Sequence, residues 1–416
     1  MARLATFPGY AEFPLGLARR VVGAVRPVLR VAGVLALAAC SSNLLSGERP
    51  AQAPPPPRAV EAAPLPVPEP PPAAQDRVKV ALLLPLTGPN AAIGQAMLNA
   101  AQLAVFDLAD DRFVLLPKDT QGNPQGAANA ARLAIAEGVQ LVLGPLLSAE
   151  VAAAKFDVAT SGLSMLAFTN DLGQAGGGAY VMGFVPQDQV MRVMGYTRSQ
   201  GAAQVAALAP KSAYGDAVVD AFYRAAQQFG ATVAWVERYD PQSPDLVPPV
   251  RSLASHQGFQ ALLLAEAGER AKAIATLLPA NGVDTKSVRL MGTGLLDDAT
   301  TSRDPALAGA LYAAPAPEQR ADFEARFEAL YGRRPPRLAT IAYDATALAA
   351  VLGRSTAPKP FDSFNLTNPS GFAGLDGVFR LRGNGQVERG LAVLQATADG
   401  PRVVDPAPTS FVALTQ

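Results

Sequence analysis

The chain has 416 residues, 35 Lys plus Arg against 35 Asp plus Glu, one histidine and one cysteine. A lone cysteine excludes an intramolecular disulfide, and one cysteine with one histidine cannot form a Cys/His zinc cluster. Balanced charge without a dense run of Lys and Arg argues against nucleic acid as a partner.

Residues 1–39 read as a signal peptide. Arg3, Arg19, Arg20, Arg26 and Arg30 precede the uncharged apolar run VAGVLALAA at 31–39. That run is far short of the roughly 20 apolar residues a membrane-spanning helix needs. Leu37-Ala38-Ala39-Cys40 resembles a bacterial lipobox, which implies cleavage before Cys40 and diacylation of its thiol. The alternative is a small buried cysteine in an ordinary helix. Two acyl chains anchor a protein stably where one is marginal. Ser41, where an aspartate would signal retention at the inner membrane, implies the inner leaflet of the outer membrane. The expected location is therefore the periplasm, lipid-anchored.

Residues 40–76 form a linker. The stretch 50–72, PAQAPPPPRAVEAAPLPVPEPPP, holds eleven of the 37 prolines. It cannot pack a core and is expected as semi-rigid polyproline II. Its reach is on the order of 100 Å, as a spacer or as a tether into the cell-wall layer.

Residues 77–416 are enough for a two-lobed domain. VKVALLL (78–84) is a continuous apolar run, as for a strand covered on both faces. A helix follows over 91–109, then buried-strand candidates at 112–117, 140–145 and 163–168, separated by helices at 125–137 and 148–160. After residue 186 the pattern restarts: helices at 187–200, 214–229, 246–256 and 269–279 alternate with strands at 203–209, 231–238, 259–265 and 287–291. Two successive βα series predict an α/β protein of two doubly wound parallel-sheet lobes. Further helices are expected at 318–331 and 338–352, and Gly383-Asn384-Gly385 within 377–395 reads as a hairpin turn.

Ligands of open parallel sheets sit at the carboxyl ends of the strands. Four loops there combine glycine or proline with hydroxyl and amide groups: PLTGPNAAIG (85–94), KDTQGNP (118–124), GPLLS (144–148) and TNDLGQAGGG (169–178). They supply Thr87, Asn90, Ser148, Thr169 and Asn170 as cleft candidates, with helix caps and turns as the alternative role for each.

VALLLPLTGPNAAIGQAMLNAAQLA, DTQGNPQGAANAARLAIAEGVQLVLGPLLS, AFTND, LAPKSAYGDAVVDAF and AYDATALAA, in that order, resemble the type I periplasmic solute-binding fold of the leucine-binding-protein class. Within it, LPLTG, LGPLLSAEV, LAFTND, YVMGFVPQDQVMRV and ALAPKSAYG are similar to the penicillin-binding protein activator lipoproteins. The resemblance implies three inter-lobe crossings, near 184–187, 312–315 and 390–394. One lobe is then about 77–185 and 315–391, the other about 186–314 and 392–416. It further implies that Ser148 and Thr169 hold a ligand carboxylate and that Tyr214 lines the cleft. Asp188 and Glu266 would hold an ammonium, or are solvated helix-start acids. Two departures from the pattern stand out: Ile93 where an aromatic is usual, and Gly183 where transport relatives often have an arginine.

Enzymatic chemistry has little to work with. His256 is the single histidine, no G-x-S-x-G elbow is present, and GTGLL (292–296) lacks the lysine of a phosphate loop. Asp110-Asp111 and Asp297-Asp298 read as turns or caps, and Tyr331-Gly332-Arg333-Arg334 as a helix terminus. No catalytic residue, cofactor or metal is expected. The expected role is a non-catalytic envelope lipoprotein that docks a peptidoglycan synthase. The alternatives are a receptor delivering amino acids or short peptides to an ABC transporter, and a sensor or hydrolase on the same scaffold.

Overall fold

The computed structural model describes residues 77–411 apart from 299 and 356. The expected signal peptide, Cys40, the proline-rich stalk and residues 412–416 lie outside them.

The first lobe opens with β1 (Val78–Leu84), α1 (Ala91–Leu108), β2 (Phe113–Asp119), α2 (Pro124–Ala136), β3 (Leu141–Leu143), α3 (Ser148–Thr160), β4 (Ser164–Ala167) and β5 (Ala179–Val181). All pairings are parallel, in the order β2-β1-β3-β4-β5. β1 is an interior strand, paired on both edges and buried on both faces. Val80, Leu82 and Leu84 join one core, while Ala81 and Leu83 face α2 and α3 in another. This two-sided burial is why the strand is uniformly apolar.

The second lobe repeats the scheme with α4 (Pro186–Ser199), β6 (Gln204–Pro210), α5 (Ala213–Phe229), β7 (Thr232–Tyr239), α6 (Val247–Ala254), β8 (Ala261–Leu264), α7 (Gly268–Ala280), β9 (Arg289–Gly292) and β10 (Leu311–Ala314). The parallel order β7-β6-β8-β9-β10 mirrors that of the first lobe. Gly215, in the first turn of α5, lets the helix press against the end of β6. A Cβ there would stand 1.9 Å from the Pro210 carbonyl oxygen.

The chain then returns to the first lobe with α8 (Ala321–Tyr331), α9 (Ala339–Gly353), α10 (Ser363–Leu366), β11 (Phe372–Gly374), β12 (Gly377–Leu381) and β13 (Val387–Arg389). Ile341, Ala345 and Ala349 of α9 pack on β1 and α1, and Phe323 and Phe327 of α8 pack on Ala96 and Ala100. β11–β13 form a small antiparallel sheet. Finally β14 (Ala392–Gln395) pairs antiparallel with β10, and β15 (Arg402–Asp405) with β14, at the edge of the second sheet.

The chain therefore passes between the lobes three times, after β5, after β10 and between β13 and β14. The expected 377–395 hairpin is real at its turn, but its second run divides at Gly390. β13 stays with β12, and β14 enters the other lobe.

Candidate functional site

The carboxyl ends of both parallel sheets face one cavity of about 540 Å³. First-lobe walls come from the start of α1 (Asn90, Ile93) and from the loops after β3 (Leu146, Leu147), β4 (Phe168, Thr169, Asn170) and β5 (Gly183, Phe184). The second lobe adds Gln189 of α4, Tyr214 of α5 and the loop after β9 (Gly294, Leu295, Asp297, Asp298). Arg337 and Leu338, just before α9, complete the wall beside the second crossing. Most of this lining is apolar, which suits small-molecule sites.

Its charges are already paired. Arg337 Nε lies 3.1 Å from Asp297 Oδ2, and its Nη2 lies 2.8 Å from Asp376 Oδ1. Asp297 also takes Arg320, Nη1 to Oδ2, at 3.1 Å. The Arg337 guanidinium lies 4.4 Å from the Phe184 ring centroid, a cation–π contact with the first crossing. Asp298 Oδ1 accepts from the backbone N–H groups of Thr300 and Thr301 at 3.0 and 3.1 Å, as a turn aspartate does. Asp297 thus spans the lobes through Arg337, a function that adjacency to Asp298 in sequence does not reveal. Asp376 is fully buried. Burial works against its charge, but Arg337 and Arg389 outweigh that and hold its carboxyl below the usual range.

Of the sequence candidates, Asn90, Thr169, Asn170 and Tyr214 meet around this cavity. The Tyr214 hydroxyl shares a 2.7 Å hydrogen bond with Thr293 Oγ1, and burial pushes its pKa up to about 12. Thr169 Oγ1 accepts from the Asp171 N–H at 3.1 Å.

Thr87, Ser148, Asp188 and Glu266 stand elsewhere, each held by other groups. Thr87 Oγ1 donates to Asp119 Oδ2 at 2.7 Å, and Asp119 also accepts the Leu86, Thr87 and Gln121 N–H groups, pinning the first loop. Burial would raise the Asp119 pKa, but these donors more than offset it and lower it. Ser148 Oγ donates to Asp171 Oδ2 and lines an adjoining outer depression. Asp188 borders a third depression with Arg382 and Glu388 of the small sheet. Its pKa is pushed up to about 7, first by burial and then by the Glu388 charge, against the pull of Arg389 and Arg382. Glu266 accepts from the Tyr239 hydroxyl and has Arg270 Nε at 3.5 Å. Gly183 has no room for the arginine of other sequences, because a Cβ there would stand 2.3 Å from the Thr169 carbonyl oxygen.

Sequence reasoning missed Arg337, Phe168, Phe184 and Gln189. Gln189 Oε1 accepts from the Gly294 N–H at 3.0 Å, tying α4 to the loop after β9. His256 stacks on Trp235, with ring centroids 3.6 Å apart, away from the cavity. Among the described residues no group of three or more His, Cys, Asp or Glu could hold a metal ion.

Leu/Ile/Val-binding protein BraC3 of Rhizobium johnstonii is 28% identical over 185 residues, 42% of this chain and 50% of that protein. The match thus spans about half the length of that curated relative. Among solved structures, a branched-chain amino acid ABC transporter periplasmic ligand-binding protein from Burkholderia xenovorans LB400 superposes with a TM-score of 0.68 at 19% identity, covering 81% of this chain and 97% of that one. A solute-binding protein of an ABC transporter from Rhodopseudomonas palustris BisB5, in complex with 3,4-dihydroxybenzoic acid, gives 0.60 at 16% identity, covering 81% and 97%. At such identities the likeness shows the fold. A family model described as periplasmic binding protein matches residues 77–401, so the chain belongs to the periplasmic binding protein family.

Proposed function

We propose that this protein is a solute-binding receptor that holds a small organic ligand between its lobes and delivers it to an ABC-type permease. The observation that carries this reading is the cavity of about 540 Å³ at the carboxyl ends of both sheets. Its volume lies inside the roughly 300–1,000 Å³ of small-molecule sites. The transport relatives support it over the synthase-activator reading. The three crossings allow the lobes to close on a ligand by a hinge motion.

The test is thermal unfolding of the full-length protein with leucine, isoleucine, benzoate and 3,4-dihydroxybenzoate. A ligand at a hundred times its Kd stabilises the native state by about 2.7 kcal/mol. No stabilisation by any small solute, together with recovery of a penicillin-binding protein by crosslinking in membranes, would replace this reading with the activator one. That second reading is favoured by the motif order within 77–215 and by the leader.

We also propose lipid anchoring at Cys40 in the inner leaflet of the outer membrane. Mass spectrometry of the mature amino terminus tests the anchor, and membrane fractionation tests the leaflet's membrane. An unmodified Cys40 sinks the proposal.

A further inference from the structure

The cleft continues beyond the ligand cavity. The outer depression, about 580 Å³, shares Asn170 and Tyr214 with it and opens between the start of α3 and one stripe of α5. That stripe runs from Tyr214 through Ala217 and Ala221 to Arg224, with Asp220 beside it. At 1.5 Å of rise per residue the stripe is about 15 Å long.

The two chambers differ in charge. In the inner one Arg337 and Asp297 pair across the lobes, and Asp298 is taken up by its own turn. The polar groups left over are the neutral amides of Asn90 and Asn170 and the amide NH2 of Gln189, whose Oε1 is taken by the Gly294 N–H. In the outer one Asp171 is taken up by Ser148, Gln174 and the Gly173 N–H, while Asp220 and Arg224 are exposed, and neither of these two makes an ion pair or side-chain hydrogen bond among the described residues. Moving an ionised group into an apolar chamber without a free counter-charge is costly, whereas unpaired amides suit neutral amide groups.

We infer that the ligand is elongated, longer than the stripe of about 15 Å, with an uncharged apolar inner end, amide groups along its middle and a carboxylate at its outer end facing Arg224. An N-acylated short peptide is the simplest member of that class. The inference rests on the solute-binding reading and narrows it. A free amino acid carries both charges within one residue's length, about 3.5 Å, and seated in the inner chamber it would find a partner for neither.

Isothermal titration calorimetry of the full-length protein with N-acetyl-Leu-Ala-Ala-Ala and with free leucine tests it. The peptide is expected to bind at least about tenfold tighter than leucine. Arg224→Gln, at an exposed helix position, is expected to weaken the peptide about two- to fivefold, as removal of a partly solvated ion pair does. Leucine binding as tightly as the peptide, or a peptide affinity indifferent to Arg224→Gln, overturns the inference and leaves the solute-binding reading standing. Absence of binding by peptide, leucine and aromatic acids alike overturns both.

Discussion

Replacing Arg337 with methionine removes the cation that joins the second lobe, the first crossing and the core of the first lobe. Asp297 keeps Arg320 at 3.1 Å, so it is not orphaned. Asp376, 0% exposed, loses its ion-pair partner at 2.8 Å and keeps only the more distant charge of Arg389. Breaking one side of a buried pair costs about 3–5 kcal/mol. Thr340 Oγ1 still donates to Asp376 Oδ2 at 2.7 Å, and methionine can still pack on Phe184. The expected loss is therefore at the lower end, about 3 kcal/mol at neutral pH. With an m-value of about 3 kcal/mol/M, the urea midpoint falls by about 1 M. The pH dependence has a definite sign. In the wild type the Asp376 pKa is lowered, so its contribution is present above the unfolded value and lost as pH falls through the folded one. Without Arg337 only Arg389 and Thr340 oppose the burial of that carboxyl, so its pKa rises, and lowering the pH to about 4.5 relieves the variant and narrows the gap. Asp376→Asn in the Arg337→Met background should recover part of the loss. Urea titrations followed by fluorescence and circular dichroism at both pH values measure all of this. A midpoint shift below about 0.3 M, or an equal shift at both pH values, would refute a charge-mediated clamp.

Three further predictions concern separate parts of the molecule. Asp188 has a folded pKa of about 7, above its usual value, so it costs stability as pH rises from about 4 to 7; Asp188→Asn should be more stable than wild type at pH 8, with the difference closing by pH 5 in parallel urea titrations. Gly215→Ala should destabilise by about 1–3 kcal/mol despite alanine's better helix propensity, because its Cβ would meet Pro210 at 1.9 Å; a higher melting temperature would contradict that packing. Phe168 is 2% exposed and walls the cavity, so Phe168→Ala should cost about 3–5 kcal/mol and admit bulkier ligands; unchanged stability in denaturant titration would remove it from the core.

The strands were legible where burial is two-sided, as in the seven-residue run Val78–Leu84. Short strands were legible where they alternate with helices, as Leu141–Leu143 and Ala261–Leu264 do, but Leu311–Ala314, four buried residues outside that alternation, was not. The site was legible in the glycine- and hydroxyl-bearing loops of the first lobe, and Asn90, Thr169, Asn170 and Tyr214 do share one cavity. What a loop position does not reveal is a prior commitment to a distant partner. Ser148 answers to Asp171, 23 residues on, and Glu266 to Tyr239, 27 residues back. Arg337 was invisible for the same reason, since its lobe-spanning partner Asp297 lies 40 residues away in a pair that reads as a turn. Asp188, the other acid implied by family likeness, lines instead the depression beside Arg382 and Glu388 of the small sheet.

The division of one run between β13 and β14 also has a consequence for synthesis. The first lobe's core draws on residues from Val78 to Val387, and the second lobe's sheet on residues from Gln204 to Asp405. As the chain leaves the ribosome, the parallel strands of the second lobe can assemble while the first still waits for α9 and β12. Each lobe then has an unfilled seat, and neither can close before the last crossing emerges. Such long-range pairings slow folding and expose unpaired edges meanwhile. Cutting the gene at any single point to isolate one lobe should therefore give an aggregating fragment, and an intact half-protein would require splicing two separated segments of sequence.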